Sequence, residues 1–258
     1  VAISLLLLQS SVTTAHRTVR AEQSADSIAF HINQRMAMLQ KQAGTAATSI
    51  LLTQLVTSGD GTAIAVEEAR LRELIPSALR VRLFPLGTAK LDRNANPPFS
   101  FTSLDMVNRV ETGQGVHPEA INTNGSWALS LAVPIRSPSD ETVRGTLFVY
   151  LDMTALSAGL DSMSRGEIRL TQTFGNNPPN DIVKTGDGAA GATLVTRVMN
   201  NPIWTLNYIP AERIASSTVG NIFLYLAPAI AFLLIAVAGV TFGIRTILRT
   251  VNADAKHL

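Results

Sequence analysis

Residues 222–244, IFLYLAPAIAFLLIAVAGVTFGI, run for 23 positions without a charge, and no other feature constrains the chain as strongly. At about 1.5 Å per residue a helix of that length spans roughly 35 Å, enough for a hydrocarbon core of about 30 Å. Buried helices rarely stay uncharged beyond about 14 residues, so the run predicts a transmembrane helix over 219–244. Pro228 does not oppose this, because freed backbone groups in membrane helices find other partners. Arg245, Arg249 and Lys256 follow against a single acid, Asp254. A short basic flank stays cytoplasmic, so 245–258 is expected to begin a cytoplasmic linker. Gly239 and Gly243 form a small-xxx-small pair that lets two such helices pack closely.

Residues 1–15, VAISLLLLQSSVTTA, also lack charge, and neither an initiator Met nor a basic stretch precedes them. Two readings stay open. One is a truncated transmembrane anchor, favoured because a helical pattern continues from it without a break. The other is a signal peptide cleaved near Ala15, where Thr13 and Ala15 are suitably small. Both put residues 16–218 outside the cytoplasm, on the periplasmic side of a bacterial inner membrane. An apolar share of 46% with 16% charged residues excludes a disordered chain. With no Cys there are no disulfides, thiolate metal sites or Cys nucleophiles. A net charge of +2 gives no reason to expect nucleic acid as a partner.

From 18 to 56 apolar residues recur at spacings of three and four (Ile28, Ile32, Met36, Leu39, Ala43, Ala47, Ile50), which predicts one long helix. Its length suits a dimer seam. The turn at 58–61 ends it. A second helix is expected over 63–74, with Glu67, Glu68, Arg70, Arg72 and Glu73 on its wet face. ALRVRLFPLG then alternates as a half-buried strand, Leu79, Val81 and Leu83 opposite Arg80 and Arg82. A short helix over 102–111 is expected to be capped by Thr102 or Ser103. Strands GSWALSLAVPI and GTLFVYLD form a hairpin across the turn at 137–141, with Trp127, Leu129, Leu131 and Val133 on one face. A helix at 153–160, capped by Asp152, follows. Strands over 167–174, 192–199 and 203–209, separated by NNPPN and GDGAAG, make a smaller β-rich lobe at 161–218. The fold class is therefore α+β.

GDGAAG at 186–191 has the form G-x-G-x-x-G, but a nucleotide site needs a preceding strand and a helix opening on it. Here β-branched residues and Pro202 follow, so a hairpin loop is expected. The histidines 16, 31, 117 and 257 have no metal-ligand spacing, and no metal or cofactor is expected. The segment shows no nucleophile elbow, Walker loop or acid–base pair, so it is read as non-enzymatic. A candidate binding set remains. Arg80 and Arg82 share one strand face, Tyr150 and Asp152 another, and paired guanidiniums suit the carboxylate of a small anionic ligand. The competing reading turns both arginines to solvent, makes Asp152 a helix cap and leaves Tyr150 at the core rim. Trp127 is either core or a stacking surface for the ligand.

The order of elements, and above all residues 127–156, is similar to the Cache sensor domains, extracytoplasmic PAS-like modules of bacterial receptors. That resemblance implies a long helix behind a central antiparallel sheet over 16–160, with a small ligand between sheet and loops. It also implies a sensory input domain whose signal passes through the membrane helix; separately, the long helix and the Gly239 and Gly243 pair of the membrane helix lead to the expectation of a homodimer. A narrower resemblance rests on PLGTAKLD, PPFSFTSLDMVNRVETG and NPIWTLNYIP. These look like the membrane-bound N-terminal extension of long bacterial phosphomannomutase/phosphoglucomutase proteins. That one implies instead a structural anchor and dimerisation domain localising a cytoplasmic phosphohexomutase. The mutase's T-A-S-H-N-P loop and its sugar and magnesium motifs are absent, so no catalytic residue carries over.

Overall fold

The computed structural model describes residues 2–123, 125–163, 165–211, 230, 234–237, 239–242, 244 and 245; side chains are described at residue 16 and from residue 18 on. The chain divides into two units, Val1–Pro210 and Ala211–Leu258. Most of the uncharged run at 222–244, with Gly243, lies outside the described residues. Its described members are helical, and Gly239 has open space around its Cβ position. Among the described residues no helix is long and apolar enough to cross a membrane.

The first unit is built on helix α1, Ala2–Ala47, 46 residues and about 69 Å long. The expected apolar stripe is buried: Ile28, Ile32, Met36, Leu39, Ala43 and Ala47 are each at most 7% exposed, and Ala21 and Ala25 extend it. Each buried Ile or Leu on this stripe contributes roughly 1.5–3 kcal/mol. The helix does not run unbroken to residue 56. Ser49 is extended, with φ −65° and ψ 127°, and a second helix α2, Ile50–Ser58, starts after it. Thr48 turns its hydroxyl onto the carbonyl of Thr45 at 2.8 Å, the local competition by which hydroxyl residues weaken helices. The break rotates Ile50 out of the stripe, leaving it 63% exposed, and Leu52 and Val56 take the buried positions. Gly59, at φ 67°, closes α2 in the left-handed region.

Asp60 caps α3, Gly61–Leu74, by accepting from the amides of Thr62 and Ala63. Its acids are not all on a wet face. Glu67 is 5% exposed, and Glu68 accepts the amide of Leu83 at 2.7 Å. Leu83 lies on β1, Ala78–Pro85. β1 joins β2 (Glu119–Thr123), β3 (Ser126–Arg136) and β4 (Val143–Asp152) in an antiparallel sheet of order β1-β4-β3-β2. Glu68 thus satisfies a free amide on an edge strand. α1 and α2 pack on one face, over Val81, Leu83, Leu129, Leu131, Leu147 and Val149. Helix α4, Phe101–Glu111, and the loop before it cover the other. The cap of α4 is Ser100, two or three residues earlier than expected, accepting from the amide of Ser103.

β4 runs into two short helices, α5 (Thr154–Ser157) and α6 (Leu160–Met163), in place of one. Then β5 (Gly166–Gln172), β6 (Asn180–Thr185), β7 (Val195–Val198) and β8 (Trp204–Pro210) form a second antiparallel sheet of order β6-β5-β8-β7. GDGAAG is the loop between β6 and β7. It folds back on β8, where the amide of Ala189 donates to the carbonyl of Pro210 at 3.0 Å.

The two lobes are joined in two ways. α1 packs on both sheets, with Asp26 bound by Arg197 at 2.5 Å at its second-sheet end. Near its middle, Arg35 donates to the carbonyls of Ala155 and Ala158 on the connector, at 2.9 and 3.3 Å. Independently, the Gln172 amide takes the place of a strand beside β2, accepting from the amide of Ala120 and donating to its carbonyl, at 2.7 and 2.8 Å.

Candidate functional site

On the α4 face of the first sheet, four polar residues stand in one row across all four strands. Arg80 of β1 opposes Tyr150 of β4, Tyr150 opposes Ser130 of β3, and Ser130 opposes Glu119 of β2. Residues directly opposite in antiparallel strands project to the same face, so the row is continuous. The flanking rows are mostly apolar. Arg82, Phe148 and Ala132 make the next row on one side, and Asp152, Ala128 and Ile121 make the row on the other.

At one end, the guanidiniums of Arg80 and Arg82 lie 3.9 and 3.5 Å from the Asp92 carboxylate, and Arg82 lies 3.6 Å from Glu68. Arg82 also sits over the Phe84 ring at 5.1 Å. Burial pushes the Glu68 carboxyl above its usual range, against the opposing pull of its hydrogen bond from Leu83 and of the two arginines. In the middle, the Tyr150 hydroxyl donates to the carbonyl of Pro98 at 3.0 Å and lies 2.7 Å from Ser103 Oγ. Burial raises the Tyr150 phenol. Ser130 is fully buried, and its hydroxyl has no hydrogen-bond partner among the described residues. At the far end Arg109 of α4 binds Glu119 at 2.5 Å and Asp105 at 2.9 Å. Burial raises the Glu119 carboxyl, with Arg109 opposing the shift.

The row is roofed. Met106 and Val107 of α4 are fully buried on it, and Phe84, Phe99, Phe148 and Tyr150 form a chain of ring contacts at 4.9 to 5.3 Å. Asp92 and Phe99 form a β-bridge that closes the loop over the arginine end. A ligand on this face must therefore move α4 or that loop, and an anionic one would take the place of Asp92.

The fold is shared with an extracellular domain of known structure. The extracellular domain of the candidate histidine kinase vpHK1S-Z8 is similar, with a TM-score of 0.50 and 12% identity, over 82% of this chain and 98% of that one. The periplasmic domain of Vibrio cholerae LuxQ gives 0.48 at 15% identity, over 74% and 99%. The V. cholerae DctB sensor domain gives 0.45 at 14% identity; the match covers 63% of this chain and 64% of that domain. No protein-family model matches the chain, and no curated protein matches it in sequence.

Of the residues singled out in the sequence, Arg80, Arg82 and Tyr150 are brought together on the α4 face. Trp127 lies on the opposite face, packed against the core beneath α1. Asp152 lies one row beyond Tyr150, where its carboxylate accepts the amide of Thr154 at 2.8 Å; the cap of α5 is not Asp152, as expected, but Met153, one residue later. Ser130, Glu119, Ser103 and Asp92 were not anticipated. The signal for Ser130 and Glu119 is strand register, which pairs positions far apart in the chain; Ser103 and Asp92 are brought in by α4 and by the loop bridged to Phe99. Among the described residues no group of three or more His, Cys, Asp or Glu is placed to hold a metal ion.

Proposed function

We propose that this chain is the extracytoplasmic sensory input module of a membrane-anchored bacterial receptor, with residues 16–218 in the periplasm and the C-terminus in the cytoplasm. The observation that carries this reading is α1. One helix runs from Ala2 through the apolar N-terminal stretch and then packs on both sheets. A rearrangement of either lobe therefore acts on a helix continuous with the proposed anchor. The likeness in fold to the extracellular domain of a candidate histidine kinase supports the same reading. α1 and the pair Gly239 and Gly243 would hold two copies together. The module itself is non-enzymatic.

The signal would be a small anionic ligand on the α4 face, its carboxylate on Arg80 and Arg82 in place of Asp92, oriented by Tyr150 and Ser130. Ligand binding shifts the arrangement of α4 and its loop only through a difference in affinity between two states. Trp127 and Asp152 would support this face without touching the ligand. The experiment is a thermal-shift screen of small carboxylates against the chain in lipid nanodiscs, repeated with Arg82→Ala and Tyr150→Phe. A hit that both variants weaken supports the reading. If no compound shifts the wild-type melt, or if hits shift both variants as much as the wild type, the site is wrong. A complete lack of ligand response would favour the anchor and dimerisation module of a phosphohexomutase instead.

A further inference from the structure

On the sheet face away from α4, helices α1, α2 and α3 leave between them an open groove of about 550 Å³. It arises from the break at Ser49. α2 leaves the line of α1 there, and α3 returns along the edge of β1, so the three helices diverge. The floor is apolar and belongs to the core, with Leu52, Leu71 and Ile75 at 0, 4 and 8% exposure. Met38 and Leu74 form the rim and stand 57 and 60% exposed. Pockets for small ligands commonly enclose about 300–1,000 Å³, lined by apolar groups with a few convergent polar ones.

The polar groups of the groove say what would fill it. Glu67 and Arg70 satisfy each other through two hydrogen bonds, at 2.7 and 2.5 Å, and contribute no net charge. Lys41 has no carboxylate within ion-pair distance among the described residues. The groove thus carries one unbalanced positive charge. Next to Lys41, Gln42 holds a buried Oε1 with no partner among the described residues. Turned over, that amide presents its NH2 to an acceptor.

We propose that this groove binds an amphipathic monocarboxylate, its hydrocarbon body on Leu52, Leu71 and Ile75 and its carboxylate at Lys41 and the Gln42 amide. The apolar floor selects the body and the single excess cation selects the head. Such a ligand bridges α1 to α3 across the helix break, and does so on the side of the sheet opposite the polar row.

The test is calorimetric titration of octanoate, 1-octanol and octylamine into the chain in lipid nanodiscs, with empty nanodiscs subtracted. Saturable binding is expected for octanoate, weaker for octanol and weakest for octylamine. Lys41→Gln should weaken octanoate by about fivefold, the worth of a partly exposed ion pair, and leave octanol unchanged. Ala46→Phe, which fills the groove, should abolish binding. Leu74→Glu, at the exposed rim, tests the same point without disturbing the core and should also weaken octanoate. Octanoate binding that survives both Ala46→Phe and Leu74→Glu overturns the proposal, as does equal binding of octylamine. Self-association that Ala46→Phe abolishes, without octanoate binding, would overturn it in favour of a second copy of the chain.

Discussion

Replacing Gln172 by Ala probes how the two lobes are joined. Its side-chain Oε1 accepts from the amide of Ala120 at 2.7 Å and from the Trp204 indole at 2.9 Å, and its Nε2 donates to the Ala120 carbonyl at 2.8 Å. Gln172, Ala120 and Trp204 are 2, 4 and 1% exposed. Truncation therefore strands two donors and an acceptor that water reaches poorly. Each such group costs about 1–3 kcal/mol, and partial hydration of the space left favours the lower end. The expected loss is about 3–5 kcal/mol, a large part of the roughly 5–15 kcal/mol that holds a typical domain. Gln172→Glu keeps the shape but sets an acceptor against the Ala120 carbonyl. It should be as damaging at neutral pH and recover partly on acidification, when the carboxyl regains a proton to donate. The assay is urea unfolding in lipid nanodiscs, with Trp204 emission in a Trp127→Phe background reporting the second lobe and circular dichroism reporting both. Loss of less than about 1 kcal/mol in Gln172→Ala, or a Glu variant as stable as wild type at neutral pH, would refute the reasoning.

Three further outcomes follow from local geometry. Gly145→Ala would place a Cβ 2.4 Å from the Phe84 carbonyl and 3.1 Å from Val56 Cβ; it should cost about 3 kcal/mol, read as a lowered unfolding midpoint. Ser130→Ala removes a buried hydroxyl that has no partner among the described residues, so it should stabilise the fold by about 1 kcal/mol, read as a raised unfolding midpoint, while weakening any ligand on the α4 face. Asp140 is held well below its ordinary value, at about 2, by the hydroxyls of Thr142 and Ser137 and the amide of Thr142, with Arg144 assisting. A carboxyl depressed on folding stabilises the fold above its unfolded value of 3.8, and that contribution is lost as the pH falls through 3.8 toward about 2. Carboxyl-carbon NMR should find the Asp140 midpoint near 2, and Asp140→Asn should flatten the acid limb of the stability curve in that window.

Elements with strong local period were legible in the sequence: α1 through its 3.6-residue stripe, β1, β3 and β4 through alternation or continuous burial. What escaped depended on long-range partners. β2 is five residues long and merges with the turn at 122–125, so nothing local distinguishes it; its place is fixed by pairing with β3 and by Gln172, 52 residues on. β6 follows the proline-rich NNPPN and was absorbed into that loop. The break at Ser49 left the apolar spacing intact, which hid the outward turn of Ile50. At the candidate site, alternation alone sets Arg80 beside Arg82 on one strand face and Tyr150 on a face of another strand. Their meeting, and the line on to Ser130 and Glu119, depend on the register of four strands. Glu67 and Glu68 looked like a solvated face because edge strands and buried ion pairs leave no periodic trace.

The grip of Arg35 on the carbonyls of Ala155 and Ala158 fixes α1 laterally near the middle of its packed length. From Arg35 the helix extends about 18 Å to Ala47 at the first sheet and about 21 Å to Ala21 at the second. A stiff rod held at such a point behaves as a lever with nearly equal arms. A sideways push of 1 Å at the Ala47 end, estimated from those lengths, becomes a push of about 1 Å in the opposite direction at Ala21. Loosening the fulcrum by Arg35→Ala would let the two ends move independently, so distances between spin labels at the ends would decorrelate although both lobes stay folded.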